Sequence, residues 1–197
     1  MPEYDACVVE AELRALSAYA EPHRHYHSER HLDECLQQLE QVTDLSERER
    51  RLLRWAILWH DAVYDPQRTD NEERSAELAF DELTNCKVDR KTAVEVARLI
   101  LLTKGHRVDL NDRLGALIVS IDLSVLGSDA DRYREYAGEV RAEYSHVPND
   151  AWRVGRSAVL QHLIDADPLF PDPDFRMRFE VKARHNMTEE IRALGEG

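Results

Sequence analysis

Apolar residues recur at helical spacing along nearly the whole chain, and no segment shows the strict alternation of a half-buried strand. This pattern predicts helices over residues 4–19, 25–42, 46–65, 70–83, 89–105, 113–126, 133–144, 149–164 and 175–194. The helix over 113–126 is the most apolar, so we expect it to be the most central. Because the chain has no long linker and no repeat, residues 1–197 are predicted to form a single all-α domain.

Three of the predicted helices begin at capping signals. Ser46 with Glu49, and Asp70 with Glu73, have the spacing of a capping box, in which each side chain bonds the backbone N–H of the other residue. Asp89 is a further N-cap residue, since its carboxylate can accept from the first helical turn. These residues predict where the third, fourth and fifth helices start.

The charge and the apolar runs exclude two classes of function. A net charge of −13 opposes binding to a long nucleic-acid duplex, although a single nucleotide could bind in a local pocket. No apolar run approaches the roughly 20 residues that cross a membrane, and the acidic start of the chain does not resemble a secretory signal. Cys7, Cys35 and Cys86 are odd in number and lack CxxC spacing, so we expect reduced thiols in a cytoplasmic protein.

Four residues on three predicted helices could hold a cation. His60 and Asp61 end an apolar run, and adjacent helical residues lie about 100° apart, so both can flank one ion. Asp122 follows another apolar run, where a bare carboxylate costs several kcal/mol unless it is paired or metal-bound. His31 adds a fourth donor. Imidazole nitrogen with carboxylate oxygen suits a borderline or hard divalent cation.

The order His31, His60-Asp61, Asp122 resembles the HD superfamily of metal-dependent phosphohydrolases. The segments YHSERHL, WHDAVYD, NEERSAELA, IDLSVLG, YREYAGEVRAEY and KARHNMTEEI look like its short, single-domain predicted phosphohydrolase branch. The resemblance extends from about residue 24 to 194. It implies an HD-domain helical bundle in which the four residues hold one divalent ion, either manganese, iron, cobalt, nickel, magnesium or zinc.

The resemblance also implies an activity. A water with its pKa lowered by the ion would attack the phosphorus of a small phosphate ester or anhydride, with a nucleotide as the favoured substrate. Two other functions stay open, namely an iron-dependent HD-fold oxygenase and a module that senses a nucleotide without hydrolysing it. HD proteins with two ions usually have two further histidines before the final aspartate, and only His106 lies there, which favours one ion.

Asp65 is the candidate general acid or base, because it lies one predicted helical turn after Asp61. In the HD branch that hydrolyses guanosine tetraphosphate a Glu-Asp pair occupies these positions, whereas this chain has Tyr64 and Asp65. The alternative interpretation is that the Asp65 side chain only caps the turn before Pro66.

Further residues are candidates for contacts with the substrate or with the ligands. Arg24 is a candidate phosphate anchor, since a guanidinium grips two phosphate oxygens at once. His27 shares a predicted helical face with Arg24 and is assigned to the substrate, as is His106. Glu72 and Ser75 share a face from which they could orient Arg24 or a histidine. Each of these five could instead make only structural contacts.

Tyr133, Tyr136 and Tyr144 share one face of the helix that follows the 113–126 segment. We expect this face to pack in the core. A helical surface of this kind could alternatively form a homodimer.

Overall fold

The computed structural model describes residues 6–109 and 111–196, and these residues form nine α-helices and a short 3-10 helix with no strand. The all-α prediction is confirmed. No helix in these ranges is both long enough and apolar enough to cross a membrane. The helices are α1 Ala6–Ala18, α2 Glu29–Glu40, α3 Glu47–Trp59, α4 Asn71–Asn85, α5 Arg90–Leu102, α6 Arg113–Asp122, the 3-10 helix Leu123–Gly127, α7 Ala130–Glu143, α8 Asn149–Asp165 and α9 Pro173–Glu196.

Helices α3 and α6 pack against each other at the centre of the molecule. Helix α3 also contacts α1, α2, α4 and α5, and α6 also contacts α2, α5 and α9. From Leu52 to Trp59 every side chain of α3 except Arg54 is buried, and α6 is buried from Leu117 to Ile121. Burying apolar surface contributes about 25 cal/mol per Å², so these two helices anchor the core. Buried side chains from all nine α-helices form one hydrophobic cluster.

Two of the three predicted caps are present. Ser46 Oγ accepts from Glu49 N at 3.3 Å and Glu49 Oε2 accepts from Ser46 N at 2.9 Å, which is a complete capping box. The Asp89 carboxylate accepts from the backbone N–H of Thr92. The predicted capping box at Asp70 was wrong, because its carboxylate binds the guanidinium of Arg68 instead of the first turn of α4.

Helix α2 begins at Glu29 rather than near residue 25. The backbone N–H groups of His25, Tyr26 and His27 all donate to one carboxylate oxygen of Glu143, at 2.8–2.9 Å. These N–H groups donate to the buried Glu143 carboxylate instead of to helical carbonyls, so residues 25–28 form a turn.

Helix α3 ends at Trp59, and residues 60–65 form a turn rather than the predicted helical extension. The N–H of Val63 donates to Ser75 Oγ, and the carbonyls of Asp61 and Ala62 accept from Arg24. Hydrogen bonds from two other parts of the chain therefore replace the helical ladder here. Both altered boundaries lie at the candidate site.

The tyrosine face belongs to the core, as expected. Tyr133 and Tyr136 are buried, and the Tyr133 hydroxyl donates to Glu190 on α9 at 2.7 Å. The two rings are covered within the chain and Tyr144 is half-buried against the core, whereas the possible homodimer stays a prediction. Arg156 also binds Glu190, and the Asn186 amide donates to two carbonyls after α6, so these contacts fasten α9.

The prediction of three reduced thiols was wrong. Cys7 on α1 forms a disulfide with Cys86 at the end of α4, with the two Cα atoms 5.3 Å apart, and Cys35 is free and buried. Their separation of 79 residues in sequence hid the pairing, which depends on α1 packing against α4. The disulfide also removes one observation behind the cytoplasmic prediction.

Reducing the disulfide is expected to lower the free energy of unfolding by about 2–4 kcal/mol, because a cross-link that closes so long a loop restricts the unfolded chain. Urea unfolding with and without a reductant measures the change. A Cys7→Ser, Cys86→Ser double variant is the control and should not respond to the reductant. Three reactive thiols in the denatured, unreduced protein would show that the cross-link is absent.

Candidate metal centre

The four predicted ligands come together from three segments of the chain. His31 lies in the first turn of α2, His60 and Asp61 directly follow α3, and Asp122 is the last residue of α6. The two imidazoles are buried, with 1% and 2% of His31 and His60 exposed, whereas the carboxylates reach solvent at one edge. The cluster is therefore closed on its histidine side and open on its aspartate side.

The distances between the donor atoms fit coordination of one ion. His31 Nε2 lies 3.1 Å from His60 Nε2, 3.3 Å from Asp122 Oδ1 and 3.7 Å from Asp61 Oδ2. His60 Nε2 lies 2.9 Å from Asp61 Oδ2 and 3.6 Å from Asp122 Oδ1. Metal–ligand bonds of about 2.1 Å at right angles separate neighbouring donors by roughly 3 Å. His31, His60 and Asp61 therefore form a group whose donors are close enough to hold one divalent cation, and Asp122 lies 3.3 and 3.6 Å from the two imidazole nitrogens.

The ring of His60 is oriented for coordination through Nε2. Its Nδ1 lies 2.8 Å from the carbonyl oxygen of Ile57, which can only accept, so Nδ1 carries the proton. In the neutral ring Nε2 then has the free lone pair. A backbone carbonyl on the far nitrogen is the usual partner of a metal-binding histidine.

The charges in the cluster perturb one another strongly. Burial disfavours the charged form of each group, but the opposite charges nearby have the larger effect on the pKa values. The pKa values of Asp61 and Asp122 lie well below their usual range because histidines surround them, and the two carboxylates raise the pKa of His60. Two carboxylates in a buried site carry the charge that a divalent cation neutralises.

Cys35 is a member of the cluster that the sequence did not reveal. Its Sγ lies 3.8 Å from both ring nitrogens of His31, and Cys35, His31 and Asp122 form a second group with donors close enough to hold an ion. Burial raises the pKa of this thiol well above its usual value. The spacing was a usable signal, since Cys35 follows His31 by one helical turn.

Arg24 is placed differently from a phosphate anchor. Its guanidinium is fully buried and donates to the carbonyls of Asp61 at 2.5 Å, Ala62 at 3.1 Å and His27 at 3.3 Å, and to the carboxylate of Glu21 at 2.9 Å. These N–H groups of Arg24 already donate to acceptors within the protein. The expectation that Arg24 grips phosphate is therefore corrected, and its contact holds the 61–62 turn against the turn before α2.

Asp65 does not lie one helical turn beyond Asp61, because no helix joins them. Its Oδ1 accepts from the N–H of Gln67 at 2.9 Å, and its backbone bonds the side chain of Asn71. The helical argument for an acid/base role was wrong, and the alternative of a turn-capping carboxylate describes the contacts.

His27 lies on the rim of the cluster, although it is outside α2 and shares no helical face with Arg24. Its Nδ1 is 2.7 Å from Glu143 Oε2, and its ring stacks on that of Tyr64 at 4.0 Å between centroids. Burial works against the charged ring, but Asp61 and Glu143 raise the pKa of His27. The Glu143 side chain is wholly buried, and its pKa falls to about 2 because His27, the backbone N–H groups and Tyr64 donate to it.

Glu143 was missed as a functional residue. It lies on the buried face of α7, three residues after Val140 and seven after Tyr136. An acidic residue on an apolar helical face was the available signal.

His106 contacts the predicted ligand Asp122. Its Nε2 lies 3.3 Å from Asp122 Oδ2, while Oδ1 of the same carboxylate faces the histidines of the cluster. The backbone of His106 has a φ of 52°, a left-handed conformation that is uncommon outside glycine. His106 also lines a cavity of about 620 Å³ together with Arg107, Leu123 and His162. It therefore connects the cluster to the cavity.

Glu72 and Ser75 do not orient Arg24 or a histidine in the described chain. Ser75 Oγ instead accepts from the N–H of Val63 and donates to its carbonyl, at 3.0 and 3.3 Å. Ser75 thus supports the turn that carries Asp61. Among the described residues Glu72 forms no hydrogen bond or ion pair with Arg24 or a histidine, and its half-exposed side chain agrees with the alternative of a solvated residue.

The fold and site define an all-α protein with a buried histidine–aspartate cluster that could hold a metal ion. Comparison of the chain with protein-family models, with curated proteins and with solved structures found no match. The geometry of the cluster is therefore the observation from which function is argued.

Metal analysis of the purified protein is expected to find about one divalent ion per chain. His60→Ala and Asp122→Ala should each weaken binding by more than about 100-fold, because each removes a donor from a four-donor set. Equilibrium dialysis measures the affinity. His185→Ala, at an exposed position on α9, is the matched control and should bind as the wild type does. Full occupancy in both cluster variants would mean that the ion binds elsewhere.

Glu143→Gln is expected to lower the free energy of unfolding at pH 7 by up to about 3 kcal/mol. The folded pKa of about 2 lies below the ordinary 4.5, so the carboxylate stabilises the fold above pH 4.5, and this contribution is lost as the pH falls toward 2. Urea unfolding from pH 7 to pH 3 tests the sign. The gap between wild type and variant should narrow as the pH falls, and a constant gap would contradict the assignment.

Proposed function

We propose that this protein is a metal-dependent phosphohydrolase of the HD type that acts on a small phosphate ester or anhydride, with a nucleotide as the favoured substrate. The observation that supports this most directly is the set of four donors from three segments, spaced as neighbouring ligands of one ion. The imidazole nitrogens and the anionic carboxylates match the ligand types that the HD resemblance implies.

Different residues of the protein have different functions at such a site. A divalent ion held by His31, His60, Asp61 and Asp122 would lower the pKa of a bound water and polarise a phosphoryl oxygen. The buried histidines close the inner side of the site against solvent. Substrate then approaches from the side of the partly exposed Asp61 and Asp122 carboxylates, where His27 and His106 form the rim.

The cavity next to His106 supports a small-molecule substrate. Its volume of about 620 Å³ lies in the range of ligand pockets, and apolar side chains line it together with polar ones that include Arg107, Arg176, His162, Asp109, Asp165 and Asp167. Because His106 both lines the cavity and contacts Asp122, a substrate with phosphate at the cluster can extend its organic part into this space. The net charge of −13 favours a small substrate over a polynucleotide.

Phosphate release from a panel of nucleotides and sugar phosphates tests the proposal. The protein is stripped of metal and resupplied with manganese, cobalt, nickel, magnesium, zinc or iron(II) in turn. We expect release with at least one metal, and a loss of more than about 100-fold in kcat/KM for Asp61→Ala, because one ligand and one anionic charge are removed. Asp150→Ala, in the first turn of α8, is the control and should keep the wild-type rate.

Silence across the panel with metal bound would contradict the proposal. Iron-linked oxygen uptake after anaerobic purification would then identify an oxygenase. Tight nucleotide binding without turnover would identify a sensor.

A further inference from the structure

The carboxylate of Glu143 is the most heavily bonded anion at the site. It is wholly buried, and Oε1 accepts from three consecutive backbone N–H groups in the turn before α2. Oε2 accepts from the Tyr64 hydroxyl and faces Nδ1 of His27, both at 2.7 Å. Charge-assisted bonds of this kind are roughly twice as strong as neutral ones, so the carboxylate fixes both the backbone and the ring of His27.

These contacts determine which nitrogen of His27 is protonated and which is left for another partner. An ionised carboxylate only accepts hydrogen bonds, so Nδ1 of His27 carries a proton and donates it to Glu143. The opposite ring nitrogen, Nε2, forms no hydrogen bond in the described chain. The stack on Tyr64 at 4.0 Å restricts rotation of the ring, and the His27 and His31 ring centroids are 6.1 Å apart. A partly exposed imidazole is thus oriented beside the metal cluster.

We propose that His27 is the general acid of the reaction and that Glu143 is its positioning residue. This inference rests on the proposed phosphohydrolase function. Neither Asp65, which caps a turn, nor Arg24, which is bonded to the backbone, supplies a proton at the rim. The Glu143 charge stabilises the imidazolium with a proton on each nitrogen, as a buried carboxylate does for the histidine of a catalytic triad.

The proton transfer balances as follows. Water adds to phosphorus and releases one proton to solvent, so that hydrogen phosphate forms. The bond from phosphorus to the leaving-group oxygen breaks, and the electron pair remains on that oxygen. Imidazolium Nε2–H gives its proton to this oxygen and produces an alcohol. His27 is left neutral with Nδ1–H still donated to Glu143, and solvent restores the proton on Nε2. No oxidant or reductant is required.

The role predicts a specific dependence on the leaving group. A poor leaving group such as an alkoxide needs the proton, whereas p-nitrophenolate departs without it. His27→Asn and Glu143→Gln should therefore lose about 100-fold or more in kcat on an alkyl phosphate, and less than about tenfold on p-nitrophenyl phosphate. The Glu143→Gln amide would donate toward Nδ1 and so favour the wrong tautomer. His185→Asn and Glu139→Gln are the matched controls, and both should hydrolyse the two substrates as the wild type does.

A second measurement does not depend on turnover. Nitrogen-15 NMR of the purified protein should show His27 protonated at Nδ1 in the wild type, with that signal lost or shifted in Glu143→Gln. Equal losses on both substrates in a His27→Asn protein that still binds metal would overturn the general-acid role, as would a His27 ring with no proton on Nδ1. A wild type that hydrolyses neither substrate nor any member of the phosphate panel would instead overturn the proposed function itself.

Discussion

The geometry of the site depends on a buried guanidinium. Arg24 lies between two turns in which the helical hydrogen-bond ladder is interrupted, and it donates to carbonyls in both. Without it, the carbonyls of Asp61 and Ala62 would lose their partners inside the protein, where an unpaired polar group costs roughly 1–3 kcal/mol. The positive charge therefore stabilises the turn that carries Asp61.

Glu143 has the same role on the other side of the site. Its oxygens bind one of the two turns directly and reach the other through the Tyr64 hydroxyl. Arg24 and Glu143 together connect the turn before α2, the turn after α3 and helix α7, so two buried opposite charges stabilise one arrangement of these segments. The cost of burying both charges is offset because each is hydrogen-bonded on several sides.

The sequence predicted most of the architecture and the members of the cluster, because both depend on periodicity and on residue type. Nine helical stretches follow from apolar spacing, and His31, His60, Asp61 and Asp122 were identified as chemically matched donors at the ends of such stretches. It failed at residues 24–28 and 60–65, where long-range bonds to Glu143, Ser75 and Arg24 override a local pattern that favours helix. The role first assigned to Asp65 failed for the same reason, since it assumed helical continuity, and the role assigned to Arg24 failed because its guanidinium binds backbone carbonyls. The pairing of Cys7 with Cys86 was equally out of reach, because it depends on which helices pack together.

That disulfide has a consequence for how the cluster assembles. His31, His60 and Asp61 lie inside the loop that it closes, whereas Asp122 lies beyond it. The cross-link joins the three ligands inside the loop by a second covalent path, besides the backbone between them. The entropy lost when His31 meets His60 and Asp61 is therefore smaller in the oxidised chain. The oxidation state of Cys7 and Cys86 therefore affects the free energy of forming the cation site. Neither cysteine contributes a donor to that site.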